Sequence, residues 1–461
     1  MTEGDLQQLS REELIRLVLS QAEQLTALRK VVAELQALRL KLEQKQKPPT
    51  NSSNSSQPPS RDQKSNRPVE SGRRRHGPPD GHVKFERPWV AEPNHIVTVK
   101  PAHCPECQTD LQHTTAHLIH VHQITELPVA QAEVIEVREY AVVCPGCGQA
   151  QCEAPPTGLE RERLFGARLE AVVVYYRQKQ HLSYQRTVET LHDLHGVTLS
   201  QGGIDQVMQR AGQAAVAAVA PLQAEIQQSA VVYSDETGCR VDSQNWWEWV
   251  FSSAKAVLHV IRFDRSLDVI KALLGPATVE VWVSDCYKPQ LQAPAQFHQL
   301  CLAHQLRNLQ AVVDQAPKAF WPRAMQALFR ASIHLHNRRA ELSPATFAQA
   351  RERLERLCTW LLQRPVLEKE AKRLLHRYQK YRVALFVFLQ RSDVSPTNNV
   401  SERHLRPSVI HRKVLGCFRS EWGAHTYAAL ASVIATAALT GHNSFEALQN
   451  LMGAPALPLP S

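Results

Sequence analysis

Two apolar runs in this chain stop on the same pair of residues. The stretch AVVYSDETG, Ala230 to Gly238, halts at Ser234-Asp235, and VEVWVSDCY halts at Ser284-Asp285. Short runs of Val, Trp and Tyr bounded by polar residues predict buried strands. An isolated Asp at a strand end is an ordinary turn residue. Two carboxylates brought together repel unless a divalent cation lies between them, so the pair predicts metal-assisted chemistry. A third carboxylate, Glu402, lies in SPTNNVSERHLRPSVIHRKVLGCFRS, crowded by Arg403, Arg406, Arg412, Lys413 and Arg419. Asn399-x-x-Glu402 also fits a capping box, in which Glu402 would only bond a helix start. That reading leaves the cations unaccounted for, whereas a phosphate-gripping surface beside a metal site uses them.

The elements around these residues predict how they meet. SAVVYSDETG, NWWEWVFSS and AVLHVIRFD read as three successive strands, a meander. RSLDVIKALLG reads as a helix, and TVEVWVSD as the next strand. Meander, crossover helix and strand form the opening of a ribonuclease H-like α/β fold. There the first strand and the strand after the helix run parallel, side by side, so Asp235 and Asp285 are expected at adjacent ends, with Asp235 bridging. Glu236 is expected on the opposite face, because strand side chains alternate; Asp242 is a further acidic residue nearby. The core is expected over 226–425 with a charged helical insertion at about 311–390. A C-terminal segment, 426–461, holds a helix too short and too rich in Ala and Thr for a membrane span.

At 461 residues, 43% hydrophobic, the chain is too long for one core, and its formal net charge of +9 favours an acidic partner, nucleic acid first. Residues 5–46 carry heptads, with Leu14, Leu28, Leu35 and Leu42 on one position and Leu17, Val31 and Leu38 on the other. They predict a coiled coil joining chains into a homo-oligomer, with Gln21 and Gln24 interrupting the seam. Residues 47–81 are too polar to offset their ordering entropy and read as a disordered linker. In 82–156, CPEC (Cys104, Cys107) and CPGCG (Cys144, Cys147) predict a ribbon-type structural zinc site, with Cys152 and His103 as second choices. In 157–225, a helix bearing Val188, Leu191 and Leu194, a turn at Gly196 and a second helix capped by Ser200 predict a helix-turn-helix. The N-terminus lacks a signal-peptide pattern, and the ten cysteines suit a reducing cytoplasm.

SDETGCRVDSQNWWEWVF, VSDCY, CLAHQLRNL and NNVSERHLRPSVIHRKVLGCFRS, followed by GA, resemble the insertion sequence 66 family of DDE transposases. The resemblance runs over nearly the whole chain. It implies that Asp235, Asp285 and Glu402 are a DDE triad holding two Mg²⁺ (or Mn²⁺) ions. It further implies cleavage at transposon ends, strand transfer into target DNA, a bacterial cytoplasmic, nucleoid-associated setting, and accessory proteins from the same element. Many DDE enzymes place a basic residue two helical turns after the glutamate; here that position is Val409, leaving Arg406, Arg412 and Lys413 as candidates. CLAH is similar to a Cys/His motif of the family, and Cys301 and His304 are read as structural. A non-catalytic DNA-binding regulator and a nuclease that cuts without joining stay open at this point.

Overall fold

The structure, a computed structural model, describes residues 51, 54, 87–128, 132–156, 158–161 and 163–453. The coiled coil expected at 5–46 lies outside the described residues, as does the linker at 47–81 apart from Asn51 and Asn54. The chain divides into two compact units, residues 64–135 with 190–197 and, in the other, 1–63, 136–189 and 198–461. Among its described residues the smaller unit holds turns, the end of one helix and an isolated bridge between His103 and Asp110, with little other regular structure.

The larger unit is mixed α/β. From residue 136 on it holds a hairpin, β1 (Ala141–Val143) and β2 (Ala150–Cys152), and a helix, α1 (Ala167–Val174), that continues as a π turn over Tyr175–Lys179. Buried Glu170 of α1 accepts from Arg163 at 2.7 Å and from Arg210 Nε at 3.1 Å. Helix α2 (Tyr184–His195) ends at Gly196, whose φ of 63° makes the reversal. Helix α3 (Gln201–Gln228) follows, its start capped by Ser200 through the Gly203 amide.

The sheet that follows has five strands, with the first of them in chain order, β3 (Val231–Val241), in the middle. With β4 (Gln244–Ser252) and β5 (Val257–Arg262) it forms the expected antiparallel meander. After helix α4 (Leu267–Leu274), strand β6 (Val279–Ser284) returns beside β3 and parallel to it. Strand β7 (Ala295–Leu300) adds a parallel edge. Alternation sorts the side chains. Val232, Trp249, Phe251 and Trp282 pack with α4 and Ile226 of α3, while Tyr233, Val281 and Val283 pack under the next helices.

Those helices are α5 (Leu302–Gln315), α6 (Phe320–Asn337), α7 (Pro344–Leu362) and α8 (Lys369–Lys380). They begin at Leu302, directly after β7, rather than near residue 311. Buried Trp321, Phe329, Tyr378, Phe386 and Phe388 hold them together. Helix α9 (Asn399–Leu415) packs on β3 and β4. Helix α10 (Glu421–Leu439) packs on α3 and β5, so it runs through the expected boundary at 425/426; α11 (Ser444–Leu451) follows it. Among the described residues no helix is long and apolar enough to cross a membrane.

Candidate active site

Strand β3 is the middle strand of the five, and its pairing with β6 stops at Tyr233–Val283 while its pairing with β4 runs on to Val241. The two parallel strands therefore part just where the carboxylates come. Asp285 follows the end of β6 and lies near enough to Asp235 for its charge to act on the Asp235 carboxyl. Asp285 Oδ1 accepts from the Tyr287 amide at 2.7 Å, a tight turn that ends the strand. Asp235 Oδ1 accepts from the Glu236 amide at 2.9 Å. Burial raises the Asp235 carboxyl well above the usual carboxylate range, and the charges of Glu236, Asp285 and Glu402 push it further. Asp235 thus lies in the field of both other candidate carboxylates.

Glu402 stands in the first turn of α9. The capping box does not form: the N-cap residue is Asn398, which makes no side-chain cap. Its side chain instead donates to the Ser234 carbonyl at 2.7 Å, and its amide to Cys301 Sγ at 3.1 Å. Glu402 Oε1 accepts from Arg307 Nη2 at 3.2 Å and lies 3.7 Å from His304 Nε2. Burial, then Arg307, lowers the His304 pKa, so the imidazole stands neutral beside Glu402 at neutral pH. CLAHQLR thus gives a buried thiol under the start of α9, a neutral histidine and a cation for Glu402. Nothing in CLAHQLR by itself marks Arg307 as the partner of Glu402.

Glu236 faces the other side of the sheet, as alternation requires. It accepts from Arg265 Nη2 and from Gln290 Nε2, each at 2.7 Å. Burial, then Asp285, raises its carboxyl. Arg265 lies over the Trp247 and Tyr287 rings, 4.2 and 3.9 Å from their centres. Asp242 sits in the β3–β4 turn with Ser243, both at positive φ, at the far end of β3.

Of the five basic residues after Glu402, Arg403, Arg406, Lys413 and Arg419 are exposed. Arg412 departs from the expectation of a DNA contact. Its guanidinium turns inward, to Glu248 Oε2 at 2.6 Å and Thr237 Oγ1 at 3.2 Å. Glu248 of β4 is fully buried, although a lone acid in a strand reads as solvent-facing from sequence.

Each cysteine pair forms the same knuckle. The Cys104 amide donates to Thr109 O and the Gln108 amide to Cys104 O, both at 2.9 Å. Cys144, Gly148 and Gln149 repeat this at 2.8 and 2.9 Å, with Gln108 and Gly148 both at positive φ. Hydrogen bonding, chiefly from Thr109, lowers the Cys107 thiol pKa, and the Cys147 and Gly146 amides lower that of Cys144. Such thiols suit a metal cation.

Among the described residues no three His, Cys, Asp or Glu side chains are gathered closely enough to hold a metal ion. The donors nevertheless fit a divalent cation in kind. Asp235 is a buried carboxylate whose ionisation is opposed by burial and by neighbouring charges, a balance that a cation reverses. Glu402 would leave Arg307 to join it. No curated protein matches the chain. Compared with known families, residues 162–426, more than half the chain, match the one described as Transposase IS66 family. The chain belongs to the IS66 family of transposases.

Proposed function

We propose that this transposase cuts DNA at transposon ends and joins them to target DNA by DDE chemistry, with Asp235, Asp285 and Glu402 as the triad. The observation that carries this reading is the parting of β3 and β6, which leaves Asp235 in the field of Asp285 and Glu402. The sheet order and strand directions fit a ribonuclease H-like core, with α10 packed against it beyond the expected boundary at 425. Two Mg²⁺ or Mn²⁺ ions, when bound, supply activation of the attacking oxygen and stabilisation of the leaving 3′ oxygen. Asp235 on the central strand, Asp285 after β6 and Glu402 on α9 would hold them. Arg307 holds Glu402 by its charge until then. Exposed Arg403, Arg406, Lys413 and Arg419 would grip the phosphates flanking the scissile bond.

The paired knuckles support a structural zinc held by Cys104, Cys107, Cys144 and Cys147. The Ser200-capped helix supports a helix-turn-helix in 157–225. Assembly through the coil at 5–46, accessory proteins and a nucleoid-associated setting complete the proposal.

The test is cleavage and strand transfer of end-containing DNA in Mg²⁺, with any accessory proteins supplied, for wild type and Asp285→Asn. Joined products from wild type and none from the folded variant are expected. Binding without cleavage by either protein refutes the catalytic reading in favour of a regulator. Cutting without joining reduces it to a nuclease.

A further inference from the structure

Glu248 is a carboxylate with no part in the proposed cation site and no access to solvent. Its Oε1 accepts from Ser408 Oγ at 2.6 Å and lies 3.0 Å from His259 Nδ1; its Oε2 accepts from Arg412 at 2.6 Å. Tyr427 Oη of α10 donates to Ser408 Oγ at 3.0 Å, closing the network from above. Ser408 and Arg412 are successive contacts on one face of α9, a turn apart. Through them one carboxylate of β4 grips α9 at two levels. Arg412 reaches on to Thr237 of β3, on the same face as Asp235 and two residues beyond it.

The apolar contacts under the same helix, Leu405 against Val250 and Val257, hold it down without setting its rotation, because apolar burial is non-directional. Charged hydrogen bonds from a planar guanidinium are directional. Turning α9 by one residue would swing Glu402 about 100° around the helix axis and break both bonds to Glu248. A buried ion pair is also a poor way to gain stability, since apolar replacements of similar volume often do as well. What this pair supplies is geometry.

We infer that Glu248 is a positioning residue that sets the rotation and register of α9, so that Glu402 faces Asp235 and Asp285. The inference rests on the proposed triad. Its test is Mn²⁺ titration of the full chain, read by paramagnetic resonance, beside the Mg²⁺ dependence of end cleavage and thermal melting. The proteins are wild type, Glu248→Gln, Glu248→Asp, Ser408→Ala and Asp285→Asn. Glu248→Gln is expected to fold, bind end DNA as wild type does, and lose about tenfold in Mn²⁺ affinity, with a matching rise in half-saturating Mg²⁺. Glu248→Asp, which keeps the charge, should recover part of the loss. Ser408→Ala should move the same way by less, and it decides the matter if Glu248→Gln fails to fold. Lower melting temperatures with wild-type Mn²⁺ affinity in the Glu248 and Ser408 variants would overturn the inference and leave the triad standing. Wild-type Mn²⁺ affinity in Asp285→Asn would overturn the triad and the inference with it.

Discussion

Gly212 lies inside α3 where that helix crosses α10, and alanine there is expected to destabilise the fold. A Cβ at 212 would meet Thr426 Oγ1 at 2.5 Å, Cγ2 at 3.0 Å and Cβ at 3.3 Å. Carbon and oxygen need about 3.5 Å, so the helices or the threonine must yield by about 1 Å. Thr426 is buried and β-branched, with few helical rotamers open to it. Overpacking of this kind costs about 1–3 kcal/mol, while glycine to alanine in a helix interior returns about 1 kcal/mol. The steric term outweighs this over most of its range, and a net loss of up to about 2 kcal/mol should lower the melting temperature by about 1–2 °C per kcal/mol in a unit of this size. Circular dichroism during thermal and urea unfolding reads it. In a Thr426→Ala background, which removes the two nearest atoms, Gly212→Ala should become neutral or stabilising. The cycle should then show a coupling of about 1–3 kcal/mol. A higher melting temperature for Gly212→Ala alone would refute the close crossing of α3 and α10.

Two further outcomes follow from other parts of the molecule. Burial, with His181, Arg177 and Arg412 adding to it, pushes the His411 pKa down to about 3, and burial pushes that of His404 down to about 4, from an ordinary value of 6.5. Both rings stay neutral in the native state while the unfolded chain takes up protons. Their stabilising contribution is complete above pH 6.5 and is lost as pH falls toward the folded values. The urea midpoint should fall over that window, and less steeply in His411→Asn; equal slopes would show that the ring is not held neutral. The purified chain should carry about one zinc ion, released alike by Cys104→Ser and Cys144→Ser. Metal analysis showing release by only one of them would separate the two pairs.

The strands that present the carboxylates were legible because each is a dense apolar run with a sharp polar end. Alternation along β3 put Glu236 on the far face from Asp235, and its ties to Arg265 and Gln290 lie there. Strand β7 was not legible. AQFHQL mixes exposed and buried residues without a clean period, as an edge strand can, and only its pairing with β6 makes it a strand. The pairing of Glu248 with Arg412 was not legible, for one physical reason. A charge in sequence reads as solvent-facing or ligand-facing until its partner is seen, and here the partner lies on another element. Arg307 was hidden the same way, since nothing in CLAHQLR points to a glutamate on a later helix.

Helix α9 is tied down at both ends: Asn398 reaches the Ser234 carbonyl at its start, and Arg412 reaches Glu248 near its finish. Between these ties Glu402 has little to move but its own side chain. On the proposed reading, the resting and cation-loaded states differ by torsions of one glutamate leaving one arginine. Single side-chain rotamer changes are fast, picoseconds to nanoseconds where the side chain is exposed, against microseconds to milliseconds for shifts of whole helices. Assembling the catalytic carboxylates would then never be the slow event in a reaction cycle. Its tempo would belong to the DNA, to the bringing together of two ends and to the release of the joined product.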